Sequence, residues 1–250
     1  MSTFCNGLFK AFRLPFGGGD LFSCLILVGS AFSALAAPAA TSLQPIETMN
    51  AIELGFVPPA PGSYELMHIM QAADGEVLDI DAKQQRLARY TGDKVTLLSF
   101  IYSTCADPSG CPYAYLVFHS LKTRLERDAR LHGKVRLVSL SFDPNRDTPQ
   151  ILKLYAGDNT LPDQPVEWDF LTTASLKTLL PILDDFGQDV FLDIDPVTRQ
   201  PLGSFSHVLK VFLIDRNRIV REVYTTVYLQ PDMVYNDIIT LLLEQGMQLQ

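Results

Sequence analysis

Val95-Thr96-Leu97-Leu98-Ser99-Phe100-Ile101-Tyr102, followed by Ser103-Thr104-Cys105-Ala106-Asp107-Pro108-Ser109-Gly110-Cys111-Pro112, is the stretch that decides how this chain folds. The first eight residues form a nearly continuous β-prone run. That is the pattern of a strand covered on both faces, not of one with a wet side. The Pro, Gly, Ser and Asp of the next ten residues predict a loop. Pro112 fits a first helical turn, where its missing N–H is not needed. From Tyr113 to Leu131, Leu116, Val117, Leu121 and Leu125 recur at helical spacing.

Working outward, Val135 to Phe142 repeats the buried-strand pattern. Asp143-Pro144-Asn145-Arg146-Asp147-Thr148-Pro149 then predicts a turn, with Asp147 or Thr148 capping a helix from Pro149 to Tyr155. Ser175 to Phe186 predicts another helix. Val208 to Ile214 and Ile219 to Tyr224 read as strands joined by the short turn Asp215-Arg216-Asn217-Arg218. Pro231 to Gln245 closes as a helix. The order is β-α-β-α-(insert)-β-β-α. Strands separated by helices imply parallel neighbours, and the late pair is antiparallel. The expected class is α/β: a thioredoxin-like fold with a central mixed sheet flanked by helices. The Asp74-Gly75 turn adds an N-terminal hairpin extension.

The bulk properties limit the function. The chain has 250 residues, 47% hydrophobic and 19% charged, which suits a packed core and excludes global disorder. Its net charge of -8 offers no counterion release from a phosphate backbone, so no nucleic-acid partner is expected. Lys10 and Arg13, the apolar run Leu21 to Leu35 and the small residues Ala34-Leu35-Ala36 read as a secretory signal peptide over 1–36, with a membrane anchor as the alternative. The Pro-rich stretch 37–63 reads as a tether or extended arm, and 64–250 as the folded domain. The expected location is the periplasm or the outer face of the inner membrane, and a monomer is expected.

Cleavage after the leader would remove Cys5 and Cys24 and leave Cys105 and Cys111. In an oxidising compartment such a pair is disulfide-bonded, metal-bound or kept reduced by a partner. Cys111 adjoins a predicted helix start, where the positive end of the dipole favours thiolate, so its pKa is expected to fall most. Two thiolates suit Cu(I) or Zn, and a nitrogen ligand would complete a three-coordinate set. His119 lies too far along its helix, His132 sits at a helix end beside Gly133, and His68 lies outside the core. His207, in the loop before the third core strand, is the histidine whose expected place brings it to the cysteines. A plain surface-loop histidine is the alternative there.

These pieces together resemble the Sco/SenC family of copper chaperones. The matching segments are the strand into Cys105, then Cys111-Pro112, the Ser141-to-Pro149 stretch, Trp168-Asp169-Phe170-Leu171-Thr172, and Ser206-His207 leading into Val211-Phe212-Leu213-Ile214-Asp215. The resemblance implies copper, as Cu(I) or Cu(II), bound by Cys105, Cys111 and His207. It also implies delivery of copper to a client such as cytochrome c oxidase subunit II, or reduction of that client's cysteines, with Asp143 near the site. The family usually has three residues between its cysteines, whereas here there are five. Three readings stay open: a copper chaperone; a thiol–disulfide oxidoreductase using Cys105 and Cys111 with a thiol–disulfide partner and no metal; and an inert loop disulfide. A peroxidase reading with Cys105 as the attacking thiol is the most distant.

Overall fold

The computed structural model describes residues 56–248. Its centre is a six-stranded sheet in the order β1-β10-β9-β4-β5-β6. The strands are β1 (Met70–Gln71), β4 (Val95–Ile101), β5 (Val135–Ser141), β6 (Glu167–Leu171), β9 (Val211–Ile214) and β10 (Ile219–Tyr224). β4 runs parallel to β5 and β5 to β6, while β9 pairs antiparallel with β4, β10 with β9 and β1 with β10. Every residue of β4 is buried, as its unbroken apolar run requires. This is the thioredoxin-like arrangement expected from the sequence.

The two faces of the sheet are covered by different helices. Leu97 and Leu137 pair along one face, as do Ser99 with Ser139 and Ile101 with Ser141. Against this face lie α2 (Cys111–Glu126) and, beside it, α5 (Pro231–Glu244), joined by Arg124 to Asp232 at 2.6 Å. The small serines leave room for Trp168 of β6, whose indole N–H donates to Ser139 Oγ at 3.0 Å. α3 (Pro149–Ala156) joins this side through Tyr155 on Tyr115 and Phe170. On the opposite face Phe100 and Phe212 meet Phe186, which closes α4 (Leu176–Asp185). Each such fully buried Leu or Phe contributes roughly 1.5–3 kcal/mol.

Several expectations shift in detail. The helix after the cysteine loop ends at Glu126, because the Asp128 carboxylate accepts from the Arg130 N–H and caps a separate single turn over Ala129–Leu131. Thr148, not Asp147, caps α3. The N-terminal hairpin exists as β2 (Glu76–Leu78) with β3 (Gln84–Arg86), but it turns at Asp79, whose carboxylate accepts from the N–H groups of Asp81 and Lys83. Asp74 instead lies before the hairpin and accepts from the N–H of Ala88, at the start of α1 (Ala88–Thr91). β6 and a second hairpin, β7 (Val190–Ile194) with β8 (Pro201–His207), were not expected as strands. β6 is a short edge strand that alternates with acidic residues, and the hairpin is largely exposed, so neither carries a continuous apolar run.

The proposed leader 1–36 and the stretch 37–55 lie outside the described residues. The end of the Pro-rich segment is docked: Asn236 donates to the Pro59 carbonyl and the Gly62 N–H donates to Thr240 Oγ1, both on α5. Among the described residues no helix is long and apolar enough to cross a bilayer.

Candidate metal centre

The site lies in the crevice beyond the carboxyl ends of the parallel strands β4 and β5. Open α/β sheets bind ligands in such crevices. Two residues after β4 the chain reaches Ser103, and two further on Cys105. The five residues between the cysteines then fold back as a turn. The Gly110 N–H donates to the Asp107 carbonyl at 3.0 Å, and the Ser109 N–H to the Asp107 carboxylate at 2.9 Å. Asp, Pro and Gly stand at the first, second and fourth positions, the residue pattern of a type I turn. The extra length is thereby consumed locally. Cys105 Sγ returns over Gly110, where an added Cβ would meet the sulfur at 3.4 Å. From the other side Thr226 Oγ1 donates to the Ser109 carbonyl.

The helix begins at Cys111 itself, with Pro112 in its first turn. Cys111 is 1% exposed, whereas Cys105 is half-buried, and both thiols are free. His207 is not in a loop, as expected, but at the end of β8, paired with Val190 of β7. The hairpin carries it over the cysteine loop, where Nε2 stands 3.9 Å from Cys111 Sγ. Phe142 and Tyr102 flank the ring with centroids at 4.9 and 6.2 Å. The ligand atoms of Cys105, Cys111 and His207 all lie within 4.8 Å of one another. The structure thus brings together the three side chains singled out from the sequence. His132 instead bonds the Glu126 carbonyl at 2.8 Å.

The electrostatics correct one expectation. The Cys111 thiol is not lowered but pushed well up. Burial dominates, and the Tyr102 backbone and the helix start do not offset it, while Cys105 adds to the rise. Taking a thiolate out of water costs more than the helix dipole returns. Burial lowers the pKa of His207, with the Val208 backbone and the Asp107 carboxylate pulling the other way. Its imidazole is therefore neutral near pH 7 and has a lone pair to offer. Burial, then the neighbouring Cys105 thiol, pushes the Tyr102 hydroxyl up to about 12. A cleft of about 450 Å³ opens beside the sulfurs, lined by Tyr102, Cys105, Cys111, Tyr115 and Tyr155.

Asp143 and Arg146 form an ion pair, and the Arg146 guanidinium lies 5.5 Å from the Phe205 ring. Sequence reasoning missed Asp147 as more than a cap. It is buried and accepts from the backbone N–H of Ser103 at 3.0 Å, from the Ser103 hydroxyl and from the Ser141 hydroxyl. No spacing rule links residues 103 and 147; only the parallel pairing of β4 with β5 brings them together.

The donor set, two sulfurs and one neutral imidazole nitrogen, fits a soft ion such as Cu(I). The family profile of SCO1/SenC matches residues 76–243. No curated protein matches the chain by sequence. Among solved structures, an Arabidopsis thaliana ScoI with copper bound is 16% identical, with a TM-score of 0.57, over 70% of this chain and 99% of that one. A SCO1/SenC family lipoprotein from Bacillus anthracis is 23% identical, with a TM-score of 0.54, over 74% and 99%. BsSco, described as a Sco family cytochrome c oxidase assembly protein with a disulfide switch, is 23% identical, with a TM-score of 0.52, over 71% and 98%. At these identities the likeness is one of fold.

Proposed function

Because the chain belongs to the SCO1/SenC family, we propose that it is an exported copper chaperone that holds copper on Cys105, Cys111 and His207. The observation that carries this reading is the convergence of two thiols and one imidazole despite five residues between the cysteines. Thiolate and imidazole ligands hold Cu(I) firmly, yet an open cleft beside them leaves room for a client's ligands to take over. The client is a protein that needs copper installed, of the kind represented by cytochrome c oxidase subunit II. Export to the periplasm or the outer membrane face is supported by the sequence of 1–36 and by a cysteine pair suited to an oxidising compartment.

The test is a Cu(I) titration of the reduced full chain against a competing chelator, beside Cys105→Ser, Cys111→Ser and His207→Ala. The wild type is expected to take up one Cu(I). Each variant should lose more than about tenfold in affinity, equivalent to ~1.4 kcal/mol. Equal binding by wild type and His207→Ala would remove the imidazole from the ligand set.

One observation favours a second, compatible reading as a thiol–disulfide oxidoreductase. A half-exposed Cys105 beside a buried Cys111 has the asymmetry of an attacking and a resolving thiol. Turnover of a disulfide substrate that survives His207→Ala would establish it.

A further inference from the structure

Asp147 is 1% exposed and has no cationic partner among the described residues, since its neighbour Arg146 pairs with Asp143 instead. A buried carboxylate without a counter-charge is costly and persists only where its acceptor capacity is used. Here all the donors are neutral. Two belong to Ser103, its backbone N–H at 3.0 Å and its hydroxyl; the third is the Ser141 hydroxyl at the end of β5. Hydrogen bonds to an ionised acceptor are about twice as strong as neutral ones. The Ser141 oxygen in turn accepts from the Asp143 N–H at 3.0 Å, and the Asp147 N–H donates to the Asp143 carbonyl at 2.8 Å. The loop 143–147 is therefore fixed to itself and to β5, and it grips the first turn of the cysteine loop.

We propose that Asp147 is a positioning residue of the thiol pair: by clamping Ser103 to the end of β5 it holds Cys105 Sγ at a set place relative to Cys111. The inference rests on the reading of the two cysteines as an acting pair. Cys105 is otherwise held by its own N–H on the Tyr102 carbonyl at 3.2 Å, by packing against the core, and by the Asp107 turn behind it, whose far side Thr226 ties at the Ser109 carbonyl. The Tyr102 and Asp107 bonds are local to residues 102–110, and Thr226 and the start of α2 hold the far side of the turn. The Ser103–Asp147 bonds are the hydrogen bonds that join its near side, where Cys105 sits, to the end of β5. Arg146, on the same loop, faces the Phe205 ring two residues before His207. The loop thus reaches both halves of the site.

The test uses the metal-free full chain at equilibrium with glutathione. Oxidised glutathione takes two electrons and two protons from Cys105 and Cys111, giving the internal S–S bond and two reduced glutathiones. Loosening Cys105 lowers the effective concentration of one sulfur at the other. Asp147→Ala is expected to reduce the equilibrium constant for closure at least about tenfold, a shift of about 30 mV. Asp147→Asn, which keeps an acceptor oxygen, should recover most of it. Ser103→Ala, which removes one of the bonds and is the milder change if Asp147→Ala does not fold, should lose about threefold. Thr240→Ala, which removes the Gly62 contact far from the site, serves as control: it should lower thermal stability and leave closure unchanged. In a separate Cu(II) titration the thiolate charge-transfer band should weaken in Asp147→Ala and return in Asp147→Asn. Closure within twofold of wild type in Asp147→Asn and Ser103→Ala, and also in Asp147→Ala where it folds, would overturn the assignment while leaving the proposed function intact. A wild type that neither closes a disulfide nor binds copper would overturn both.

Discussion

At Cys111 two effects oppose each other. The helix start favours thiolate, and burial disfavours any charge. Burial wins because desolvation of a nearly inaccessible sulfur can reach several pK units, while a helix end supplies about 0.3–1 kcal/mol. The expectation drawn from position alone was therefore reversed by a quantity that position does not report. The consequence is a difference in reactivity between two chemically identical side chains. In the reduced, metal-free protein at pH 7.5, iodoacetamide is expected to modify Cys105 at least about tenfold faster than Cys111, since only accessible thiolate reacts. Peptide mass spectrometry over a time course measures the two rates. Faster modification of Cys111 would show that the buried thiol is the activated one.

The elements explain how a site built from distant residues stays assembled. β4, β5 and β8 each deliver one edge of it, and small polar clamps set their ends. Asp74 is one such clamp away from the site, holding the β2–β3 hairpin to α1. It accepts from the Gly75 and Ala88 N–H groups, both at 2.9 Å, and from Arg86 at 2.7 Å. Burial pushes this carboxyl up but is outweighed by the Ala88 N–H, the Arg86 guanidinium and the Gly75 N–H, so its pKa lies below the ordinary 3.8. The unfolded chain therefore binds this proton first as pH falls. The stability that Asp74 supplies is complete above the ordinary value and drains away as pH falls through the lowered one. Asp74→Asn is expected to cost about 1 kcal/mol at pH 7, allowing for the solvent screening of its exposed Arg86 partner, and to flatten the loss of stability below pH 4. Urea unfolding at pH 3 to 7 reads both. An unchanged acid limb would show that Asp74 is not the group responsible.

For the molecule as a whole, a ligand that binds the folded state and not the unfolded chain raises stability by mass action. Free Cu(I) at a hundred times its dissociation constant is expected to add about 2.7 kcal/mol. For a domain of this size that is roughly 5–10 °C in thermal midpoint. Trp168, the only tryptophan, is buried against Phe118 and Phe170 and reports unfolding by fluorescence. A Cu(I) chelator should return the midpoint to that of the metal-free protein. A midpoint indifferent to both additions would mean that the ligands do not close on copper in the folded state.

The amino-acid order by itself determined the buried strands β4 and β5, the helix that follows the cysteines, and the late antiparallel pair. It did so because continuous apolar runs, helical spacing and turn residues act over neighbouring positions. It also singled out Cys105 and Cys111 as the cysteines beyond the expected leader, and His207 by its expected place before the third core strand and by the resemblance to Sco/SenC proteins. Only the tertiary structure decided that an exposed hairpin carries His207 over the cysteine loop, that burial raises the Cys111 thiol, and that Asp147 reaches Ser103. Each of these depends on contacts between segments tens of residues apart, or on how much water a side chain loses. Both are set by packing the whole chain and not by any local pattern.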